Sequence, residues 1–337
     1  MLFPKSSRKP QAFIRKALTS PVFVDGVGRA GKVVVDLAIG SFERAEHVQP
    51  QPMMDSIFIL NGMGLIDPDM AMDLLRKQVN NYLFAGYLGR NINTNLYDYS
   101  SVWNSVKPDM YLKRLATRDT PENFLKMRAA IRRERPILLL HIHEMLCDAE
   151  IFWKAFRKSR IVPVFRHPVD VVFSWHRKGF GVRFGKDLRA GAHTFWGVAG
   201  PVPWWAFDWA EEYEKLPPLE RVMRSVAVLN ERYYDQMDHM PDRYRARLLP
   251  VCFEHFVTDP EPTIKALSEF LETRPTPRTW EVLQNQRVPR KLDRAEFKSR
   301  FRGIRQNSSK TSFEGFVEDC LRYEKRFKPG ISIRRLG

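Results

Sequence analysis

The sequence has little cysteine, no long hydrophobic run, no flexible linker and a deficit of negative charge. The three cysteines, Cys147, Cys252 and Cys320, lie far apart in no metal-ligand spacing. Their odd number argues against a disulfide framework, and a reducing cytoplasm suits them best. No apolar stretch approaches the ~20 residues needed to span a bilayer. The beginning, Met1 through Leu18, is basic but lacks the continuous apolar core of a secretory signal. Residues 1–19 read as a basic tail, which leaves peripheral contact with an anionic membrane surface open. No Gly-, Ser- or Pro-rich stretch divides the rest, so 20–330 reads as a single domain. With 44% hydrophobic residues in a 337-residue chain, it can bury a sizeable core. Lysine and arginine number 55 against 39 acidic residues, a formal charge of +16. This predicts an anionic ligand or partner. The cations are scattered and form neither a basic stripe nor a reader module, which sets nucleic acid aside as a partner.

Two segments carry most of the functional signal. Val22–Val33 is a short apolar strand pattern that runs through Asp25 into Gly26-Val27-Gly28-Arg29-Ala30-Gly31-Lys32-Val33 and then into an apolar helix start. Without Cβ atoms the glycines let the backbone approach a ligand, and the converging N–H groups at a helix N-terminus favour an anion. The second segment, Ile161–Trp175, ends its strand at Arg166 and continues through Pro168, suited to a first helical position, to Asp170 and Ser174. Two strand-to-helix junctions, each offering a fixed cation, suit a ligand with two phosphate-like ends.

Together these residues resemble the PAPS-dependent sulfotransferases. In that family a strand, an anion loop ending Arg/Lys-Ser-Gly-Thr-Thr and a helix hold the 5′-phosphosulfate. A later Arg-x-Pro-x-Asp-x-x-x-Ser holds the 3′-phosphate. Arg29 and Gly31 match the loop, with Ala30, Lys32 and Val33 in place of Ser-Thr-Thr; Arg166, Pro168, Asp170 and Ser174 match the second motif. Val251–Pro260 is similar to the family's later strand and Glu-x-Leu-x-x-Asp-Pro turn. The resemblance implies a three-layer α/β/α fold with a central parallel sheet of P-loop-NTPase-like type. It implies PAPS as sulfuryl donor, no metal, and a hydroxylated acceptor, with a carbohydrate or glycolipid suggested by the basic surface and aromatic content. The family's late Arg-Lys-Gly segment has its nearest counterpart in Arg300-Phe301-Arg302-Gly303, which assigns Arg302 and Gly303 to the 3′-phosphate site.

Along the rest of the chain, the pattern predicts a helix over Lys32–Glu46 and another from Asp67-Pro68, with Met70, Leu74, Leu75 and Val79 at helical spacing. Further helices are expected over Thr120–Arg135, Cys147–Lys158, Leu219–Met240, Pro260–Leu271, Thr276–Asn285 and Thr311–Phe327, and strands over Pro136–His143 and Arg160–Arg166. The order strand, helix, strand, helix predicts parallel pairing. Arg90–Asn95 reads as an amide-rich loop. Phe195–Trp209, dense in aromatics, Pro and Gly, reads as a lid or acceptor wall, or equally as a satellite cluster of packed rings.

For sulfuryl transfer, His143 is the candidate base, at a strand end where an imidazole of ordinary pKa ~6.5 can accept a proton. His141-Ile142-His143 sits where cytosolic sulfotransferases carry Lys-Thr-His. Glu144 is the rival, because family branches acting on glycosaminoglycans use a glutamate. Arg29, helped by Lys32, would neutralise the 5′-phosphate leaving group. His141 and His143 share a strand face, which admits a metal, but no further ligand is evident. Gly26–Lys32 also satisfies the Gly-x-x-x-x-Gly-Lys of nucleotide kinases and NTPases, yet Val33 lacks the hydroxyl that holds magnesium there. A non-catalytic nucleotide- or glycan-binding relative is the third reading.

Overall fold

A computed structural model describes residues 17–187 and 189–335. The predicted basic tail falls, over residues 1–16, outside the described residues. The strands are β1 (Val22–Asp25), β2 (Gln49–Pro50), β3 (Leu139–His141), β4 (Arg160–Phe165), β5 (Thr194–Trp196), β6 (Pro201–Pro203) and β7 (Val251–Cys252). Five form an all-parallel sheet in the order β2-β3-β1-β4-β7, while β5 and β6 pair antiparallel as a separate hairpin. β1 is central: Val22 aligns with Leu139 on one side and with Arg160 on the other.

Strand alternation divides the core in two. Val22, Val24, Leu139, Val162, Val164 and Val251 face one side, where Val35, Ala38 and Ile39 of the Lys32–Gly40 helix join Ile264, Leu267 and Leu283. Phe23, Leu138, Leu140, Ile161 and Phe165 face the other, packed under the helices Pro52–Gly62, Pro68–Tyr87, Pro168–Arg177 and Pro218–His239. Helices on both faces of a parallel sheet make the expected three-layer α/β/α architecture, with the glycine loop following the central strand as in P-loop folds.

Several boundaries differ from the sequence reading. The first helix stops at Gly40 rather than Glu46, because Ser41 turns its hydroxyl onto the Ala38 carbonyl and the chain bends away. The strand expected over Pro136–His143 is confined to Leu139–His141, and Cys147–Lys158 splits into a 3₁₀ turn at Met145–Asp148 and a helix at Glu150–Ala155. The helix from Asp67 forms as read: Asp67 accepts the N–H groups of Asp69 and Met70, and the helix runs over Pro68–Tyr87. Helices Pro52–Gly62, Pro108–Arg114 and Arg294–Gln306 were not anticipated: the first is weakly amphipathic, the second is short, and the third is strongly polar, burying only Phe297 and Ile304.

The glycine loop is held by two close approaches. Gly26 has φ 144°, and a Cβ there would lie 2.5 Å from the Val164 carbonyl oxygen. Gly31 has φ 99°, and a Cβ there would sit 2.2 Å from the Phe253 ring. Replacing Gly31 by alanine therefore combines backbone strain with overpacking, and we expect a loss of about 2 kcal/mol or more, read as a lowered urea midpoint at unchanged slope. An unshifted midpoint would mean that Phe253 yields freely.

Candidate functional site

The first junction starts at Asp25, which ends β1 fully buried. Its carboxylate accepts the N–H groups of Met145 (3.0 Å) and Leu146 (2.8 Å) and the Tyr233 hydroxyl (2.9 Å). The loop then turns through Gly26, Val27, Gly28, Arg29 and Ala30, with the Ala30 N–H bonded to the Val27 carbonyl at 3.1 Å and Arg29 at φ 69°. Gly31 caps the Lys32–Gly40 helix, whose first N–H groups have no intrahelical acceptor and make this end suited to an anion. Lys32 points inward: its ammonium donates to the carbonyls of Gly26 and Val27. Burial pushes its pKa down, while Glu144, Asp25, Asp55 and Asp36 favour the charged form. Val33 follows without a hydroxyl.

The second junction is built on buried carboxylates of later elements. At its start the Glu254 carboxylate accepts the His167 N–H at 2.9 Å and the Tyr323 hydroxyl. His167 caps the Pro168–Arg177 helix by accepting the Val169 N–H at Nδ1, so its proton lies on Nε2, 3.2 Å from Glu324. Arg166 lies 3.3 Å from Asp170 and donates to the Arg29 carbonyl at 3.4 Å; Arg29 in turn donates to the Ser174 hydroxyl at 3.1 Å. Thus Arg29, Arg166 and Ser174, read from two separate motifs, occupy one place.

Of the late segment, Arg302 is exposed, and the Gly303 carbonyl accepts only the Asn307 side chain, at 2.8 Å. Neither is drawn to the junctions. Arg300, two residues before Arg302 on the same helix, reaches Asp170 and Glu296 instead. Arg290, which the sequence reading missed, lies over the Phe253 ring at 5.6 Å, with Arg166 over the same ring at 4.7 Å. Burial, with Arg166 and Arg287 nearby, lowers the Arg290 pKa. The signal available was the basic cluster Arg287-Val288-Pro289-Arg290-Lys291 between two helices.

The two base candidates end up in different environments. Glu144, at φ 53°, is buried, and its carboxylate accepts the Gly28 N–H at 3.1 Å. Burial raises its pKa to about 8 against the opposing pull of Lys32. His143 is partly open to solvent, with 44% of its side chain exposed. Its Nδ1 lies 3.4 Å from Asp55 Oδ2, and Asp55 Oδ1 accepts the His143 N–H at 3.0 Å. The surrounding protein, Lys32 and His141 hold the imidazole well below its usual pKa, hence neutral. Asp55, from the Pro52–Gly62 helix, was not anticipated; burial raises its pKa to about 7. His141 is buried and pairs through Nδ1 with Asp36, its ring 4.8 Å from that of His143. Among the described residues no group of His, Cys, Asp and Glu is arranged to hold a metal ion, and no helix is long and apolar enough to cross a membrane.

The aromatic stretch 195–209 divides into the β5–β6 hairpin and a 3₁₀ segment, Trp204–Trp209. Trp205 is buried against Trp175, ring centroids 5.7 Å apart, and Trp175 Nε1 donates to the Gly28 carbonyl at 2.7 Å. Its inner end therefore packs behind the glycine loop, while Trp196 is exposed.

No protein-family model and no curated protein sequence matches the chain. Among solved structures, the chain is similar to the sulfotransferase domain of a Synechococcus olefin synthase, with 12% identity, TM-score 0.45, and coverage of 94% of this chain and 98% of that one. It is similar as well to the sulfotransferase domain from the curacin biosynthetic pathway, at 12% identity, TM-score 0.44, and 93% and 99% coverage. A Mycobacterium avium sulfotransferase gives 12% identity, TM-score 0.45, and 93% and 78% coverage. All three are sulfotransferases; at this distance they assign no chemistry to the chain, which is set by its own residues.

Proposed function

We propose that the chain is a sulfotransferase that moves a sulfuryl group from PAPS to an acceptor hydroxyl, releasing PAP, with a carbohydrate or glycolipid as the acceptor class. The observation that carries this reading is the contact of Arg29 with Ser174 and of Arg166 with the Arg29 carbonyl. It makes a helix N-terminus and two guanidinium groups a single anion seat with two ends. PAPS would supply the sulfuryl group and a phosphate leaving group. The acceptor oxygen forms the new bond to sulfur as the bond from sulfur to the 5′-phosphate oxygen breaks, and the hydroxyl proton passes to the enzyme.

Each residue has a task that follows from its place. Arg29 and the N–H groups at the start of the Lys32–Gly40 helix stabilise charge on the departing 5′-phosphate. Arg166 and Ser174 hold the 3′-phosphate, with Arg290 alongside. These fixed cations and dipoles serve where a kinase uses magnesium, and Val33 suits that difference. His143 takes the acceptor proton at Nε2. Asp55 positions it: its Oδ1 accepts the His143 backbone N–H and its Oδ2 lies 3.4 Å from Nδ1, an attraction that favours the ring proton on Nδ1 and leaves Nε2 free. Glu144 has less access, since it is buried and bonded to Gly28.

PAP should bind in calorimetry with EDTA present, and Arg166→Ala should weaken it by about 1.5–3 kcal/mol, roughly 10- to 150-fold. Unchanged affinity in the folded variant would remove Arg166 from the site. Tighter binding of ATP with magnesium than of PAP would favour the kinase reading.

Transfer of radiolabelled sulfate from PAPS to a cell-envelope extract gives the test of the base. His143→Ala should lose ~10²–10⁴-fold in turnover with PAP affinity retained. Ionised Asp55 is the form that favours the proton on Nδ1, so turnover should rise with pH through about 7. Asp55→Asn should flatten that rise. A midpoint near 8 that survives Asp55→Asn and disappears in Glu144→Gln would give the role to Glu144.

A further inference from the structure

The β5–β6 hairpin holds apolar side chains where a water-facing loop would carry polar ones. Phe195 and Val202 are cross-strand partners on its inner side, and Val202 is fully buried. Alternation then directs Trp196 outward, 73% exposed, and Val198 at the tip is 70% exposed. Neither is left there by a slack loop. The Glu214 carboxylate accepts the N–H groups of Ala199 (2.9 Å) and Gly200 (3.1 Å), and Gly197 N–H bonds to the Gly200 carbonyl at 2.8 Å. Among the described residues no ring or guanidinium covers Trp196. A tryptophan and a valine fixed at a projecting tip lose little conformational freedom on entering an apolar medium.

The unpaired charge beside the hairpin selects the medium, since Asp208, Glu211 and Glu212 after β6 are paired with Arg232, Lys215 and Arg224. From His176 to Gly200 the chain carries Arg177, Lys178, Arg183, Lys186 and Arg189 against a single carboxylate, Asp187. Asp187 is satisfied by Arg183 and Arg189, and Arg177, Lys178 and Lys186 form no ion pair among the described residues. The Gly185 end of this segment lies directly against the hairpin: a Cβ on Gly185 would come 2.4 Å from the Pro201 side chain. An indole at the tip with lysines and arginines behind it matches the layering of a bilayer interface, where tryptophan sits among headgroups and basic residues meet anionic lipid.

We infer that the β5–β6 hairpin docks the protein on an anionic bilayer surface, with Trp196 and Val198 entering the headgroup region and Arg177, Lys178 and Lys186 facing lipid phosphates. The hairpin base leads toward the helix that carries Asp55. Trp204, next after β6, packs edge-on against Phe58 at 5.9 Å, and Phe58 lies one turn along the helix that carries Asp55. On the sulfotransferase reading, docking brings a hydroxyl held at the membrane surface toward His143.

Flotation of the full chain with phosphatidylcholine vesicles, with and without phosphatidylglycerol, tests the docking without any assay of transfer. The protein should float with the anionic vesicles, and less so as salt is raised from about 0.1 M to about 1 M. The Trp196→Ser/Val198→Ser variant, altered only at exposed positions, should partition about tenfold less or weaker still, with an unchanged melting temperature. Trp196→Phe should retain most of the binding, and Lys178→Glu/Lys186→Glu should abolish the preference for anionic lipid. Wild-type partitioning of the double serine variant, or indifference of the wild-type chain to phosphatidylglycerol, would overturn the inference. PAP affinity, measured separately, reports on the transferase reading whichever way the vesicles fall.

Discussion

A lysine ammonium buried among four carboxylates organises this site. Lys32 is 3% exposed, and Asp25, Asp36, Asp55 and Glu144 all act on it. An ammonium taken from water costs several kcal/mol unless its surroundings compensate, and so does each carboxylate. Here the compensation is shared, because every one of the four carboxylates also holds another piece of backbone or a side chain. Asp25 fixes the turn at Met145 and Leu146, Asp36 pairs with His141, Asp55 holds His143, and Glu144 holds Gly28. The glycine loop, the end of β3 and the first helix after β2 are therefore set relative to one another by one charge.

The same charge sets apart the two neighbouring base candidates. Glu144 faces Lys32 inside the protein, where its proton is held by burial and its oxygen by Gly28. His143 stands one residue away, yet its side chain is partly open to solvent, and the nearby ammonium discourages a second positive charge on it. Adjacent residues thus acquire different protonation behaviour from position alone. Neither identity nor sequence spacing encodes that difference.

What the sequence disclosed, and what it hid, follows from the range of the interactions. The glycine loop and the Arg166–Ser174 segment were legible because each is local: a strand, a turn and a helix start follow one another within a dozen or so residues. The parallel sheet was legible from alternating elements. Asp55 and Arg290 were not, because each reaches the site from a segment with no motif of its own, brought in only when the sheet closes. Arg302 and Gly303 were assigned by likeness to a pattern, whereas helix phase turns Arg300 toward Asp170 and leaves Arg302 exposed. The aromatic stretch divides: Trp205 packs inward against Trp175, as a cluster of packed rings would, while Trp196 faces out.

The central place of β1 has a consequence for how the chain is made. β1 leads into the glycine loop, but its two neighbours in the sheet, β3 and β4, emerge from synthesis far later than β1 does. Until then Val22, Phe23 and Val24 have no strand to pair with, and non-local parallel pairing of this kind is slow and leaves apolar surface exposed while it waits. The glycine loop is thus translated well before the strands that complete its setting. A nascent chain halted between Gly40 and Leu139 would carry the whole glycine loop and none of the frame that gives it shape.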